Sequence, residues 1–120
     1  MTNHDESRHL EIKDEADRTV AQAEVTTAQG PEGTVRTSMQ SDAYAPPGSR
    51  ASLVDAVMDL PEVQASDRVE AAIPYGDAES LERLRQRTED AQSRAAGATT
   101  LFDANIPDDL GPSDDDERRP

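Results

Sequence analysis

Large apolar side chains are scarce in this chain, and their scarcity limits the core that it can build. Leu, Ile, Val and Phe together account for 18 of the 120 residues, and aromatic residues make up 2% of the chain. Fifteen of those 18 lie between residues 18 and 107. Such a composition borders on that of disordered proteins. Any folded unit must therefore lie in the middle of the chain and have a thin core.

The distribution of charge divides the chain in the same way. There are 26 acidic and 12 basic residues, which give a formal net charge of −14. Residues 1–17 and 108–120 each carry six acids and two bases. We therefore predict a disordered tail at residues 1–7, a single domain at 8–107 and a disordered acidic tail at 108–120.

Composition also excludes several kinds of site. The chain has no cysteine, so disulfides, thiolate metal sites and cysteine nucleophiles are absent. It has no apolar run of about 18 residues, as a membrane span would need. Its first residues are acidic and polar, unlike a secretory signal. We expect a cytoplasmic protein that does not enter a membrane.

Alternation of apolar and polar residues predicts the strands. Residues 19–27 and 34–40 alternate in this way, and the turn-forming residues 29–33 between them predict a hairpin with a loop of about five residues. Residues 68–74 alternate again, and a shorter alternation at 9–13 predicts a further short strand. The predicted inward side chains are Ala21, Ala23, Val25, Val35, Thr37, Met39, Val69, Ala71 and Ile73.

A helical period predicts the first helix at residues 50–59. Its inward residues would be Leu53, Val54, Val57 and Met58, with Ser49 or Ser52 as the N-cap. The helix should end before Pro61, because a proline disfavours helical geometry in the residue that precedes it.

A second helix is predicted from Asp77 to about Ala96, closed by Gly97. Ala78, Leu81, Leu84, Thr88, Ala91 and Ala95 recur at intervals of three and four. Glu79–Arg83 and Asp90–Arg94 would then form ion pairs one turn apart. A last strand is expected within residues 98–106.

These elements predict a small α+β domain, a two-layer sandwich. The order is a short strand, a hairpin, and then helix, strand, helix and strand, or (β)ββαβαβ. Strand–helix–strand units with short links favour a parallel pair. We expect a mixed sheet with two helices on one face.

The turn Pro74-Tyr75-Gly76-Asp77 is a candidate anion site, because it leads from a strand into a helix N-terminus. However, Asp77 can cap the helix itself, and Glu79 adds a second negative charge in the first turn. Two carboxylates there would repel a phosphate. We interpret the turn as a structural cap.

Other charged groups are candidate binding or catalytic sites. Four arginines of the second helix could contact phosphate or an acidic partner: Arg83, Arg85, Arg87 and Arg94. They are interleaved with Glu79, Glu82, Glu89 and Asp90, so we interpret this face as solvated and held by ion pairs.

The histidines, His4 and His9, lie near the N-terminus, where a catalytic or zinc-binding geometry is hard to hold. The acidic run 114–117 lacks the pattern of a calcium loop and is interpreted as a solubilising tail.

No residue set predicts catalytic, cofactor or metal sites, and the acidity disfavours direct nucleic-acid binding. The predicted function is a non-catalytic accessory or regulatory protein that binds another protein, with possible self-association through a sheet edge. One alternative is an acidic mimic of nucleic acid that occupies a basic groove. The other alternative is a small enzyme that uses carboxylates.

Overall fold

The computed structural model describes residues 6–27 and 33–107. These residues form six strands and three helices. The strands are β1 (Glu6–Lys13), β2 (Thr19–Thr27), β3 (Thr34–Ser41), β4 (Arg68–Pro74), β5 (Glu89–Ala96) and β6 (Thr99–Asn105). The helices are α1 (Ser49–Met58), α2 (Pro61–Gln64) and α3 (Ala78–Arg87). The predicted C-terminal tail, the loop at 28–32 and residues 1–5 lie outside the described residues.

All six strands join one mixed sheet in the order β1-β2-β3-β4-β6-β5. The pair β3–β4 is parallel and is connected through α1, whereas the other neighbouring pairs are antiparallel. The predicted hairpin of β2 and β3, the parallel pair and the α+β class are confirmed.

One face of the sheet is buried and the other is open. Register places Val25 beside Thr37, Thr37 beside Ala71, and Ala71 beside Phe102, so these four side chains share the buried face. The apolar residues of α1, α2 and α3 pack into the same core cluster. All three helices therefore cover one face. Two helices on one face were predicted, and the short α2 is an additional one. None of these described helices is long and apolar enough to span a bilayer.

Helix α1 packs as its period predicts, but its start differs. Leu53, Val54, Val57 and Met58 are buried. The N-cap is Gly48, whose φ of 90° is left-handed, and no side chain caps the helix from that position. The prediction of a serine cap was wrong, because the tight turn after β3 needs the backbone freedom of glycine. Pro61 does follow the end of α1, but it also begins the short helix α2, which was not predicted.

The largest error concerns α3, which ends at Arg87 instead of continuing to Ala96. Thr88 is extended, Asp90 has a φ of 55°, and residues 89–96 form β5 against β6. Gly97, with a φ of 65°, lies in the turn between those strands and does not close a helix. The helical period beyond Arg87 was weak evidence, because it depended on alanines, and alanine can pack in a helix or in a strand. Pairing with β6 decided the outcome.

Candidate functional site

The parallel strands separate at their carboxyl ends. Pairing between β3 and β4 stops at Ser38 and Ala72, although β3 continues to Ser41 and β4 to Pro74. Each strand then leads into a helix N-terminus, β3 into α1 and β4 into α3. Ligands of mixed and parallel sheets bind outside the carboxyl ends of such strands. We call this place the strand split.

Carboxylates of the chain itself occupy both helix N-termini at the strand split. Asp77 caps α3, because its Oδ1 accepts a hydrogen bond from the Ser80 amide at 3.0 Å and its Oδ2 accepts one from Ser80 Oγ at 2.6 Å. Glu79 reaches across to α1, where its Oε2 accepts a hydrogen bond from the Ala51 amide at 2.9 Å. The turn before α3 is therefore a structural cap, as the sequence indicated. Glu79 does not form the predicted pair with Arg83, because it caps the neighbouring helix.

Arg50 ties together the elements around the strand split. Its Nε donates to Ser41 Oγ at 2.6 Å, and its Nη2 donates to the Asp42 carbonyl at 3.2 Å. The same Nε lies 3.9 Å from Asp77 Oδ1. The guanidinium is thus already engaged by the ends of β3 and the start of α3.

A groove of about 550 Å³ lies on the open face of the sheet, next to the strand split. This volume falls within the range of small-molecule sites. Ala72 and Leu101, which face each other across β4 and β6, lie on its floor. The lining residues that the register places on the open face come from β3, β4, β5 and β6: Arg36, Glu70, Ala72, Gln92, Arg94, Leu101 and Asp103.

Two carboxylates stand side by side in this groove. Glu70 on β4 and Asp103 on β6 are directly opposite each other in the antiparallel register. Like charges in that position destabilise a sheet. Each is held by an arginine, since Arg36 Nε lies 3.1 Å from Glu70 Oε1 and Arg68 Nη2 lies 3.3 Å from Asp103 Oδ1. The two arginines therefore offset the repulsion within this carboxylate pair.

The predicted cluster of helix arginines is divided between different places. Arg87 bridges α3 to α1, with Nη1 2.8 Å from Asp55 Oδ1 and Nη2 2.6 Å from Asp59 Oδ1. Hydrogen bonds to Asp59 and then to Asp55 raise the pKa of Arg87. Arg83 Nε also lies 3.4 Å from the Asp55 carboxylate, at a geometry that makes no hydrogen bond. These contacts agree with a face held by ion pairs.

Arg85 and Arg94 lie apart from that helix bridge. Arg85 donates to Ser93 Oγ at 3.3 Å. Arg94 belongs to β5, so its predicted helical pair with Asp90 does not form, and its side chain lines the groove.

The remaining predicted candidates do not join the groove. His9 lies on β1, where it contacts Glu24 Oε2 at 2.6 Å and Glu11 Oε2 at 3.0 Å. Hydrogen bonds to Glu24 and then to Glu11 raise the pKa of His9. His4 and the acidic run 114–117 lie outside the described residues. Within residues 6–27 and 33–107, no group of three or more ligating side chains is placed to hold a metal ion.

The chain has the fold of acetyltransferases of known structure. It is similar to an acetyltransferase of the GNAT family from Streptococcus pneumoniae, with a TM-score of 0.52 and 13% identity over 76% of this chain and 62% of that one. For the ribosomal-protein-S5-alanine acetyltransferase from Vibrio fischeri, the TM-score is 0.59 with 17% identity over 88% and 64%. For a phosphinothricin acetyltransferase from Sinorhizobium meliloti, described in complex with AcCoA, it is 0.57 with 12% identity over 93% and 68%.

Because the identities are low, these likenesses establish the fold alone. The chain spans 62% to 68% of the length of these three neighbours. No protein-family model and no curated protein sequence matches the chain.

The comparisons contradict the function predicted from sequence. The structural neighbours are enzymes that transfer acetyl groups, whereas the sequence predicted a non-catalytic accessory protein engaged in protein–protein interaction. That prediction was wrong because it rested on the absence of a recognisable motif. The groove was missed because its charged residues come from four strands. Alternation indicated that Arg36 and Glu70 face outward, but register alone placed them beside Asp103.

Proposed function

We propose that this protein is an acyltransferase that moves an acyl group from a thioester to an amine. The observation that carries the proposal is the strand split beside a carboxylate-lined groove, in a fold shared with acetyltransferases. Backbone groups of β3 and β4 beyond Ser38 and Ala72 have no partner in the opposing strand of this pair. An extended amide-containing arm could add to such an edge as a further strand does.

The groove supplies what an amine acceptor needs. Glu70 and Asp103 attract an ammonium group, and Ala72 and Leu101 offer apolar floor to the carbon chain that bears it. Arg36 and Arg68 already offset the repulsion between these carboxylates, so an ammonium between them would share the two carboxylates with the arginines. The acceptor nitrogen would then lie next to the place where the strands separate.

An ammonium nitrogen must lose two protons to become an amide. Glu70 is placed to accept the first proton, directly or through one water, while Arg36 orients the carboxylate. The neutral amine then attacks the thioester carbonyl carbon, so that the carbon–nitrogen bond forms and the carbon–sulfur bond breaks. The nitrogen gives up its second proton as the amide forms, and the leaving thiolate takes it up. The products are the amide, the thiol and protonated Glu70.

The diphosphate of coenzyme A does not fit the strand split as this chain builds it. The first-turn amide of Ala51, which would face such an anion, already donates to Glu79. Asp77 stands beside it, and Arg50 is engaged by Ser41 and the Asp42 carbonyl. The acyl donor of this proposal is therefore a thioester that need not carry a diphosphate.

The test is release of thiol from acetyl thioesters in the presence of a panel of primary amines. Ellman's reagent can follow it without background, because the chain has no cysteine. Glu70→Gln should lower kcat/KM by about a hundredfold, the lower end of general acid–base contributions. Glu82→Gln, an exposed change of the same charge on α3, is the control.

Two results would refute the proposal. One is the absence of thiol release with every amine tested. The other is a Glu70→Gln variant that keeps full activity.

We also propose that the protein is cytoplasmic and that it contacts another protein. A protein partner could be the molecule that carries the acceptor amine. Self-association would use β1 or β5, the outer strands of the described sheet, whose edges can pair with a second copy. Sedimentation velocity over a range of concentrations tests this last point.

A further inference from the structure

Glu79 holds the position that an anionic ligand would take at the N-terminus of α1. Its carboxylate accepts a hydrogen bond from the Ala51 amide at 2.9 Å, and it comes from a different helix, α3. A helix N-terminus attracts negative charge through its free amides and its dipole. Here the chain satisfies that attraction with its own side chain.

Asp77 and Arg50, which lie at the same edge, further disfavour an anionic ligand at the N-terminus of α1. Asp77 is 7% exposed at its side chain and faces Arg50 at 3.9 Å, so a second fixed negative charge lies at the same edge. The guanidinium of Arg50 donates to Ser41 and to the Asp42 carbonyl, which limits its capacity to receive a phosphate. A diphosphate placed there would have to displace Glu79 and remain beside Asp77. The cost is electrostatic repulsion at short range and a lost hydrogen bond.

We propose that Glu79 is a specificity-determining residue that excludes nucleotide diphosphates from the strand split. The acyl donor is then a thioester whose recognition does not use a diphosphate at α1. This inference rests on the proposed acyl transfer. The effect of Glu79 on binding of a diphosphate can nevertheless be measured without catalysis.

The binding test uses free coenzyme A as the probe and isothermal titration calorimetry as the readout. The proteins are the wild type, Glu79→Gln, Glu79→Ala and Glu82→Gln. The variants at 79 and 82 have the same net charge, and Glu79→Gln differs from Glu82→Gln only in where a carboxylate was removed. Wild type and Glu82→Gln should bind with equal, millimolar affinity. Both variants at 79 should bind at least about tenfold more tightly, the gain expected from one freed amide and one removed negative charge.

The result that overturns the proposal is equal affinity of wild type and the folded variants at 79. Thermal unfolding confirms that each variant is folded. Should both variants at 79 unfold, the wild type alone decides, because binding of coenzyme A below about 100 µM would show that Glu79 does not exclude it.

A second measurement separates this inference from the proposed function. Wild type is given acetyl-CoA or S-acetyl-N-acetylcysteamine, which has the thioester but no diphosphate, with the same amine. Similar kcat/KM values for the two donors support the exclusion, and a strong preference for acetyl-CoA refutes it. If neither donor is used, the proposed function fails, whereas the calorimetry still tests Glu79.

Discussion

Replacement of Thr37 by valine should stabilise this protein. Thr37 lies on β3 and is 4% exposed, between Val25 on β2 and Ala71 on β4. Its Oγ1 is buried and has no hydrogen-bond partner among the described residues. Valine keeps the β-branched shape that suits a strand. The substitution therefore removes an unsatisfied hydroxyl and changes little else.

The expected gain is about 1 kcal/mol, the lower end of the cost of an unsatisfied buried polar group. In a domain of this size, that gain corresponds to a melting temperature about 4–8 °C higher. Circular dichroism at 222 nm during thermal and urea unfolding measures it, since the chain has no tryptophan to report by fluorescence. Thr26→Val on the open face of β2 is the control and should change stability by less than about 0.5 kcal/mol.

A loss of about 1 kcal/mol or more in Thr37→Val would refute the reasoning. It would mean that the hydroxyl has a partner, such as a buried water, whose loss costs more than the desolvation that valine avoids.

Two other predictions concern charged contacts. Arg87→Met keeps the aliphatic packing but removes the bridge from α3 to Asp55 and Asp59, and it should cost about 1 kcal/mol, because the exposure of Asp59 weakens the pair. Urea unfolding in low salt and in 1 M NaCl measures it, and a loss that does not shrink with salt would contradict an ionic origin. Hydrogen bonds to its two glutamate partners raise the pKa of His9 above its ordinary value of 6.5, so the stability that they supply is present below pH 6.5 and disappears as pH rises through the raised pKa. The difference in melting temperature between wild type and His9→Gln should be larger at pH 5.5 than at pH 8.5, and an equal difference at both would rule out this linkage.

Local periodicity was sufficient to predict the strands β2, β3 and β4 and the buried face of α1. In each of these segments, apolar side chains recur with a single period, and one face must be buried wherever the element packs. The parallel pair of β3 and β4 followed from the helix predicted between them, because a chain that crosses over through a helix can return in the same direction. The same rule did not hold for β4 and the last strand, since β5 intervenes in the chain and β6 pairs with β4 antiparallel. The Asp77 cap was also readable, because a cap acts within three residues of its own position.

The sequence by itself could not determine the length of α3 or the candidate site. Residues 89–96 have small and charged side chains that fit either a helix or a strand, and only pairing with β6 makes them a strand. Glu70, Arg36 and Asp103 are separated by more than thirty residues, and the register of the sheet brings them into one row.

The contact between Glu79 and the N-terminus of α1 also depends on the tertiary structure. Nothing near residue 79 indicates that its carboxylate reaches the amide of Ala51, 28 positions earlier, on another helix. The sequence thus determined which faces are buried, because burial follows from the spacing of apolar side chains along one element. The tertiary structure decided which charged groups meet, because those meetings depend on how separate elements are placed against one another.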